Sequence, residues 1–487
     1  MGFKVDTSFL RFLTMGALGV RQVAAELRNF GFEPIELERY CTSNKIWATK
    51  VKRLRLPDLL CVRTGLRVEV RAKSDLKIRM SEAPKNPDRA WDAGLRDTDL
   101  IALIACIDSK GATPTLASTG VYFSVRDLRQ SVGTSTLGPP KSASEGAERD
   151  RTWPSVVPKR PGTVQSVTST RLTVLMDGDG KPARRQGYAL RGKAAYAGVG
   201  THFEAKTTIL AGSPAKVTDP RSYLNSKFDP LAMIRSADSL DRYSGAKATR
   251  FRPDVQGPAV TLLRQALLAE EDGRVKLEIA ATAAQLQMAE GWACIRETLF
   301  AADVSLSMES ILILTELKLP DARTLLVEAA RRFVKDERRQ AAIWGLGRFG
   351  HTSYDDLLPY IADEDENVAL HAIQAFGPDA SEQTITKLMN ILLGGDRRAA
   401  PAAATALRVI ASDAVIDSLS KAASGSKEVN WALAALGSLP VELVRAKLSD
   451  PKMLARLEPL LLLAPGNTWI TAEERISDRA FLARQSL

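Results

Sequence analysis

The spacing of hydrophobic positions changes twice along the chain. From Thr7 to Phe30 apolar residues recur at helical intervals, with Asp6 or Thr7 as the N-cap and Gly31 as the stop. Two-residue alternation follows. Leu59–Val62 and Arg67–Lys73 read as strands joined by a turn at Arg63-Thr64-Gly65. Pro87–Leu95 reads as a short helix, Leu100–Ile107 as a buried strand and Val121–Val125 as another, so residues 1–135 are expected to form an α/β layer structure. Prolines and small polar residues mark 136–161 as a linker. From 162 to 219 the chain is rich in Thr, Val, Gly and Ala without helical period. Val164–Val167, Arg171–Met176 and Thr207–Leu210 read as strands and Asp177-Gly178-Asp179-Gly180 as a turn, which predicts a small β-barrel or sandwich.

The second half repeats. Ala- and Leu-rich blocks begin at Ile279, Ser310, Ala341, His371, Ala402 and Trp431, spaced 29–31 residues apart. Each reads as a helix whose small residues let a partner helix approach. A helix pair that cannot bury its face alone stacks on its neighbours into an α-solenoid. Residues 220–255 read as a connector, 256–450 as the solenoid and 451–487 as a cap or tail. Leu357–Gly377 carries the clearest resemblance to short HEAT-like repeats. That resemblance implies a scaffold that docks a protein partner, without identifying it.

At 487 residues the chain exceeds what one hydrophobic core usually spans. Its 45% apolar and 25% charged residues exclude wholesale disorder and collagen-like structure. No apolar run approaches the ~20 residues of a membrane span. Phe9–Val20 is broken by Arg11 and does not read as a signal peptide. Cys41, Cys61, Cys106 and Cys294 are scattered and histidines number three, which argues against structural zinc and for a reducing, cytoplasmic setting away from membranes. The net charge of +10 is uneven: +7 over 1–135, +6 over 136–220 and −3 over 221–487. Nucleic-acid contact is therefore expected in the first 220 residues.

Between Lys45 and Arg79 stand eleven Lys/Arg and only three acids, Asp58, Glu69 and Asp75. Asp58 follows Pro57 at the start of the first strand, and Glu69 lies in the second. Alternation puts Val68, Val70 and Ala72 on one face and Glu69, Arg71 and Lys73 on the other, with the apolar face inward and the charged face presented outward. Pro57-Asp58, a hairpin, then Glu69 among basic residues resembles the PD-(D/E)xK nuclease core, a restriction-endonuclease-like α/β fold, over roughly the first 130 residues. The resemblance implies that Asp58 and Glu69 hold Mg²⁺ or Mn²⁺, which polarises a scissile phosphate and lowers the pKa of bound water. It also implies a lysine on the same strand that positions or activates the attacking water. The family spacing places that lysine at position 71, where this chain has Arg71. Arginine stays protonated, so Lys73 is expected in the lysine role and Arg71 as a phosphate grip. Lys50, Lys52, Arg53, Arg55, Lys77 and Arg79 are expected to contact nucleic acid, with duplex DNA as the expected partner. Glu26 is a candidate third acid from the first helix. His351, His371 and Trp344 lie in the repeats and read as packing or surface residues. The implied function is a metal-dependent endonuclease hydrolysing DNA phosphodiesters, in prokaryotic antiviral defence or DNA processing. The alternative is a non-catalytic nucleic-acid-binding adaptor with a degenerate core and a partner-docking solenoid.

Overall fold

The computed structural model of the protein describes residues 7–38, 47, 49, 54–83, 86–107, 114–138, 149–178, 182–425 and 430–463. Extreme termini aside, the chain divides into two compact units: 4–45 with 52–282, which is rich in sheet, and 46–51 with 283–484, which is helical.

In the sheet-rich unit, helix α1 (Thr7–Asn29) stops at Gly31, whose φ of +96° suits only a residue without Cβ. Strands β1 (Pro34–Glu36), β2 (Leu59–Cys61) and β3 (Arg67–Lys73) form an antiparallel meander. After β4 (Arg79–Glu82) the chain crosses over, and β5 (Leu100–Ile107) runs parallel to β3, with Glu69 beside Ile101 and Arg71 beside Leu103. β6 (Thr115–Leu116) and β7 (Val121–Ser124) pair antiparallel with β5, giving the order β1-β2-β3-β5-β6 with β7 also on β5. α1 covers one face, burying Val23 and Leu27 among Val68, Val70, Leu100 and Ile104. A Cβ on Gly19 would sit 3.1 Å from the side chains of Ala72 and Ile104, so glycine there sets how closely α1 approaches the sheet. The opposite face carries a second core, in which Ile101, Leu103 and Ala105 meet Leu76, Ile78, Met80, Trp91, Phe123 and Trp153. Apolar burial on both faces is the main stabilising contribution here, at about 25 cal/mol per Å².

Several expectations change. The charged face of β3 is not an outward face at its N-terminal half. Arg67 and Glu69 are buried because β3 is interior to the sheet and the second core covers that side. Pro87–Leu95 forms only a 3-10 turn at Pro87–Arg89, capped by the Asn86 side chain, before Gly94 turns the chain at φ +75°. β7 ends at Ser124, whose hydroxyl caps a short helix α2 (Val125–Gln130) through Asp127 N.

Strands also form within 136–161, a stretch whose prolines predict a linker. β8 (Thr134–Leu137) and β9 (Arg149–Thr152) join β4 in a three-stranded sheet. β10 (Ser155–Val156) pairs with Ala211–Gly212, where the later strand lies instead of at Thr207–Leu210. β11 (Gly162–Val167), β12 (Arg171–Met176) and β13 (Arg184–Ala189) form a meander. β14 (Ala194–Ala195), β15 (His202–Phe203) and β16 (Ala211–Gly212) complete two open sheets, β13-β12-β11-β15 and β10-β16-β14. Both contribute to one core of Val156, Val164, Leu172, Val174, Phe203 and Ala211. Of the barrel or sandwich expected, the described residues form no closed barrel. Helices α3 (Pro230–Ile234), α4 (Ser239–Arg250), α5 (Pro253–Ala269) and most of α6 (Gly273–Gln285) belong to this unit as well. Lys247, 1% exposed, donates to Leu37 O at 2.9 Å.

The helical unit continues with α7 (Ala289–Leu299), α8 (Val304–Leu317), α9 (Pro320–Arg332), α10 (Glu337–Gly347), α11 (Tyr354–Leu357), α12 (Glu366–Gln374), α13 (Glu382–Leu393) and α14 (Ala399–Ile410). α15 (Asp413–Gly425), α16 (Asn430–Gly437), α17 (Val441–Lys447) and α18 (Pro451–Leu463) follow. α8, α10, α12, α14, α16 and α18 stack in series, while α7, α9, α13 and α15 each pair with the next helix. The repeated Ala- and Leu-rich blocks from 310 onward fall on the serial stack, and a Cβ on Gly345 of α10 would overlap the Thr315 hydroxyl of α8. This stack of helix pairs is consistent with HEAT-like repeats. Asp303, Asp336, Asp365 and Ser381 cap their helices by accepting from backbone N–H groups. Trp47, 2% exposed, packs edge-on against Trp344 (ring centroids 5.9 Å) and beside His371 (5.6 Å), and Thr49 N donates to Glu337 Oε2 at 2.8 Å. Trp344 and His371 are thus packing residues. No helix among the described residues is long and apolar enough to cross a membrane.

Candidate functional site

β2 and β3 pair Leu59 with Val68 and Leu60 with Arg67. Continuing that register by one residue sets Asp58 opposite Glu69 on the same face, where cross-strand Cβ atoms lie about 4.5–5.5 Å apart. Both carboxylates are buried. Asp58 Oδ2 accepts from Val70 N at 2.8 Å, which ties the start of β2 to the middle of β3. Arg71 Nη2 lies 2.9 Å from Glu69 Oε1. Along β3 burial falls from Arg67 to Lys73, so the pair of acids opens toward the Lys73 end. There Lys73 Nζ donates to Arg79 O at 2.6 Å, while the Arg79 guanidinium reaches Asp150 at 3.6 Å and Lys77 pairs with Asp75 at 2.9 Å. Asp58, Glu69 and Arg71 therefore share one locality. Lys73 is held through its link to β4, and Lys77 and Arg79 engage separate acids.

Arg55 is half-buried with φ +65°, and its carbonyl lies so close to Gly94 that a Cβ there would overlap it. Lys50, Lys52 and Arg53 lie outside the described residues. Glu26 sits on the α1 side of the sheet. It accepts from Gly120 N at 3.1 and 3.0 Å and from Tyr122 Oη at 3.1 Å, and so fastens α1 to the start of β7. Burial, with that carboxylate beside it, pushes the Tyr122 hydroxyl well above its ordinary value.

Two further groups shape the site and were not singled out in the sequence. Glu38 accepts from Leu54 N (2.6 Å) and Leu56 N (3.3 Å), fixing the backbone on the approach to Asp58. Arg67, one step before Glu69 on its face, pairs with buried Asp99 at 2.8 Å and donates to Gly94 O. Burial lowers the Arg67 guanidinium and raises the Asp99 carboxyl, with each partly offset by the other. The parity of Arg67 in Arg67–Lys73 signals its face; its distant partner Asp99 leaves no local trace.

Among the described residues no group of three or more His, Cys, Asp or Glu side chains gathers as a metal cluster. Magnesium uses one or two carboxylates together with water and substrate phosphates; two carboxylates, Asp58 and Glu69, stand opposite one another here.

No protein-family model matches the chain, and no curated protein matches it. Among solved structures it is similar to the phycocyanin lyase complex of Nostoc sp., with 18% identity and a TM-score of 0.23 over 48% of this chain and 93% of that one. Human deoxyhypusine hydroxylase in complex with glycerol is similar at 18% identity and TM-score 0.22, over 47% and 97%. An archaeal HEAT-like repeats protein from Thermococcus onnurineus is similar at 14% identity and TM-score 0.26, over 47% and 98%.

Proposed function

We propose that the chain is a metal-dependent nuclease acting on DNA, with a helical scaffold that docks a protein partner. The observation that carries this reading is the mixed sheet itself. An antiparallel meander β1-β2-β3 followed by parallel β5 sets Asp58 and Glu69 opposite one another at adjacent strands. Asp58 and Glu69 would hold Mg²⁺ or Mn²⁺, which supplies Lewis-acid polarisation of a phosphodiester oxygen. Arg71 balances the Glu69 charge until substrate arrives and then turns its guanidinium to a phosphate oxygen. Lys73, its ammonium anchored on Arg79 O, adds a positive charge on the same strand as the phosphate-facing Arg71.

One contact favours the adaptor instead. Arg71 already supplies a positive charge to the carboxylate that a metal would use. Incubation of duplex DNA with Mg²⁺ or Mn²⁺ decides between them. Cleavage by wild type that is lost in Asp58→Asn and in Glu69→Gln, with duplex binding retained, supports the nuclease. Absence of cleavage together with absence of Mn²⁺ binding by calorimetry leaves the adaptor.

A further inference from the structure

The β13-β12-β11-β15 sheet turns one face to its core through Leu172, Val174 and Met176. Its register then assigns the opposite face to Arg171, Thr173 and Leu175 on β12, to Arg185 and Gly187 on β13, and to Thr163 on β11. Arg171 and Arg185 are exposed, and among the described residues no carboxylate pairs with either. Residues 159–206 carry nine Lys/Arg against three Asp/Glu, and one of those acids, Glu204, lies 3.3 Å from His202. Gly187 has a specific part in this face. A Cβ there would overlap the Arg171 guanidinium, so the glycine lets that side chain lie flat across β13. The guanidinium thereby comes to rest two residues, or about 7 Å, from Arg185 along the strand. That spacing is on the scale of neighbouring phosphates of one nucleic-acid strand.

We propose that this face binds the phosphate backbone of double-helical nucleic acid. Two arginines suit phosphate oxygens through paired N–H donors, and the Thr173 hydroxyl, opposite Gly187 in the register, adds a donor beside them. Apart from His202 at its β15 edge, the described residues of this face include no aromatic ring of the kind that single strands stack on. Nor does it present the aromatic anchor pocket that dominates protein interfaces. The site is separate from Asp58 and Glu69 and stands whether or not those acids catalyse.

The test is fluorescence anisotropy of the full chain with a labelled duplex DNA in EDTA, titrated over salt. Arg171→Ala/Arg185→Ala should weaken binding at least tenfold at low salt. It should also flatten the slope of log affinity against log salt by about 1.8, two phosphates at about 0.9 each. Gly187→Ala keeps every charge but lifts the Arg171 guanidinium off the strand, so it should weaken binding several-fold with an unchanged circular dichroism spectrum. Because EDTA removes divalent metal, the readout is binding alone and is separate from catalysis at Asp58 and Glu69. Wild-type affinity and slope in the double arginine variant would overturn the proposal, leaving the arginines only to keep edge strand β13 from pairing. Tighter binding of poly-glutamate than of duplex, lost in the same variant, would also overturn it in favour of an acidic protein partner.

Discussion

Replacing Arg67 by Met removes one member of a nearly dry ion pair. The side chains of Arg67 and Asp99 are 6% and 2% exposed, with Nη2 and Oδ2 2.8 Å apart. At an effective dielectric near 20 their attraction is about 6 kcal/mol, against several kcal/mol of desolvation for each ion. The pair is far from fully satisfied, since Arg67 Nε and Nη1 have no hydrogen-bond partner among the described residues. Its net contribution is therefore small, yet breaking it strands Asp99 with Arg96 N at 2.7 Å as its remaining hydrogen bond among those described above. Arg67→Met should cost about 3–5 kcal/mol. The double variant Arg67→Met/Asp99→Leu, which buries no charge, should cost less than about 2 kcal/mol. Hydrogen–deuterium exchange of peptides spanning 67–73 and 100–107 reads this locally, and at 1.36 kcal/mol per decade the single variant should exchange at least ~10²-fold faster. pH supplies a second check. Burial holds the Asp99 carboxyl above its ordinary value. The native state then takes up the proton before the unfolded state does, and stability is gained as pH falls through the folded value. Without Arg67 the carboxyl rises further, so the deficit of Arg67→Met should shrink as pH drops from 7 toward the ordinary carboxylate range. Wild-type exchange rates in Arg67→Met, or a double variant as costly as the two singles combined, would refute the reasoning.

Two further outcomes test the packing on either side of the sheet. Burial pushes the Cys61 thiol up to about 12, so iodoacetamide at pH 8 should label half-buried Cys294 and spare Cys61 until urea unfolds the chain; equal labelling of both, read by peptide mass spectrometry, would contradict this. Glu26→Ala should cost about 1–3 kcal/mol for each of the donors Gly120 N and Tyr122 Oη that it orphans. Glu26→Gln, which keeps one acceptor, should cost less, and urea midpoints distinguish the two.

Where a segment is shaped by its own spacing, the sequence reading and the structure agree to within a residue or two. Arg67–Lys73 and Leu100–Ile107 are strands with the bounds expected, and α1 differs at its end by one residue. The helical stack was legible because the Ala- and Leu-rich blocks recur at one period. The crossover between β3 and β5 was not, because Asn86, Asp92 and Gly94 favour turns over the helix that the apolar spacing of Trp91 and Leu95 suggests. The candidate site divides in the same way. Pro57-Asp58 and the hairpin locate two acids on neighbouring strands, since turn and register are local properties. The burial of Glu69 comes from a core assembled with Trp91, Trp153 and Ile209, residues up to 140 positions away. The alternation of Arg67–Lys73 is that of a half-exposed strand and cannot announce such a cover. Likewise the partner of Lys73 depends on where β4 lies.

Trp47 has a bearing on biosynthesis. It emerges from the ribosome early, yet it packs against the rings of Trp344 and His371, 297 and 324 residues downstream. At about 5–20 residues per second, that interval is roughly 15–60 s of translation. Throughout it the tryptophan must wait as exposed apolar surface or be shielded by another protein. Completion of the helical unit therefore draws on a side chain made long before it: α10 and α12 do not reach their final packing from their own sequence, and a fragment beginning after residue 51 would lack the side chain that packs against both Trp344 and His371.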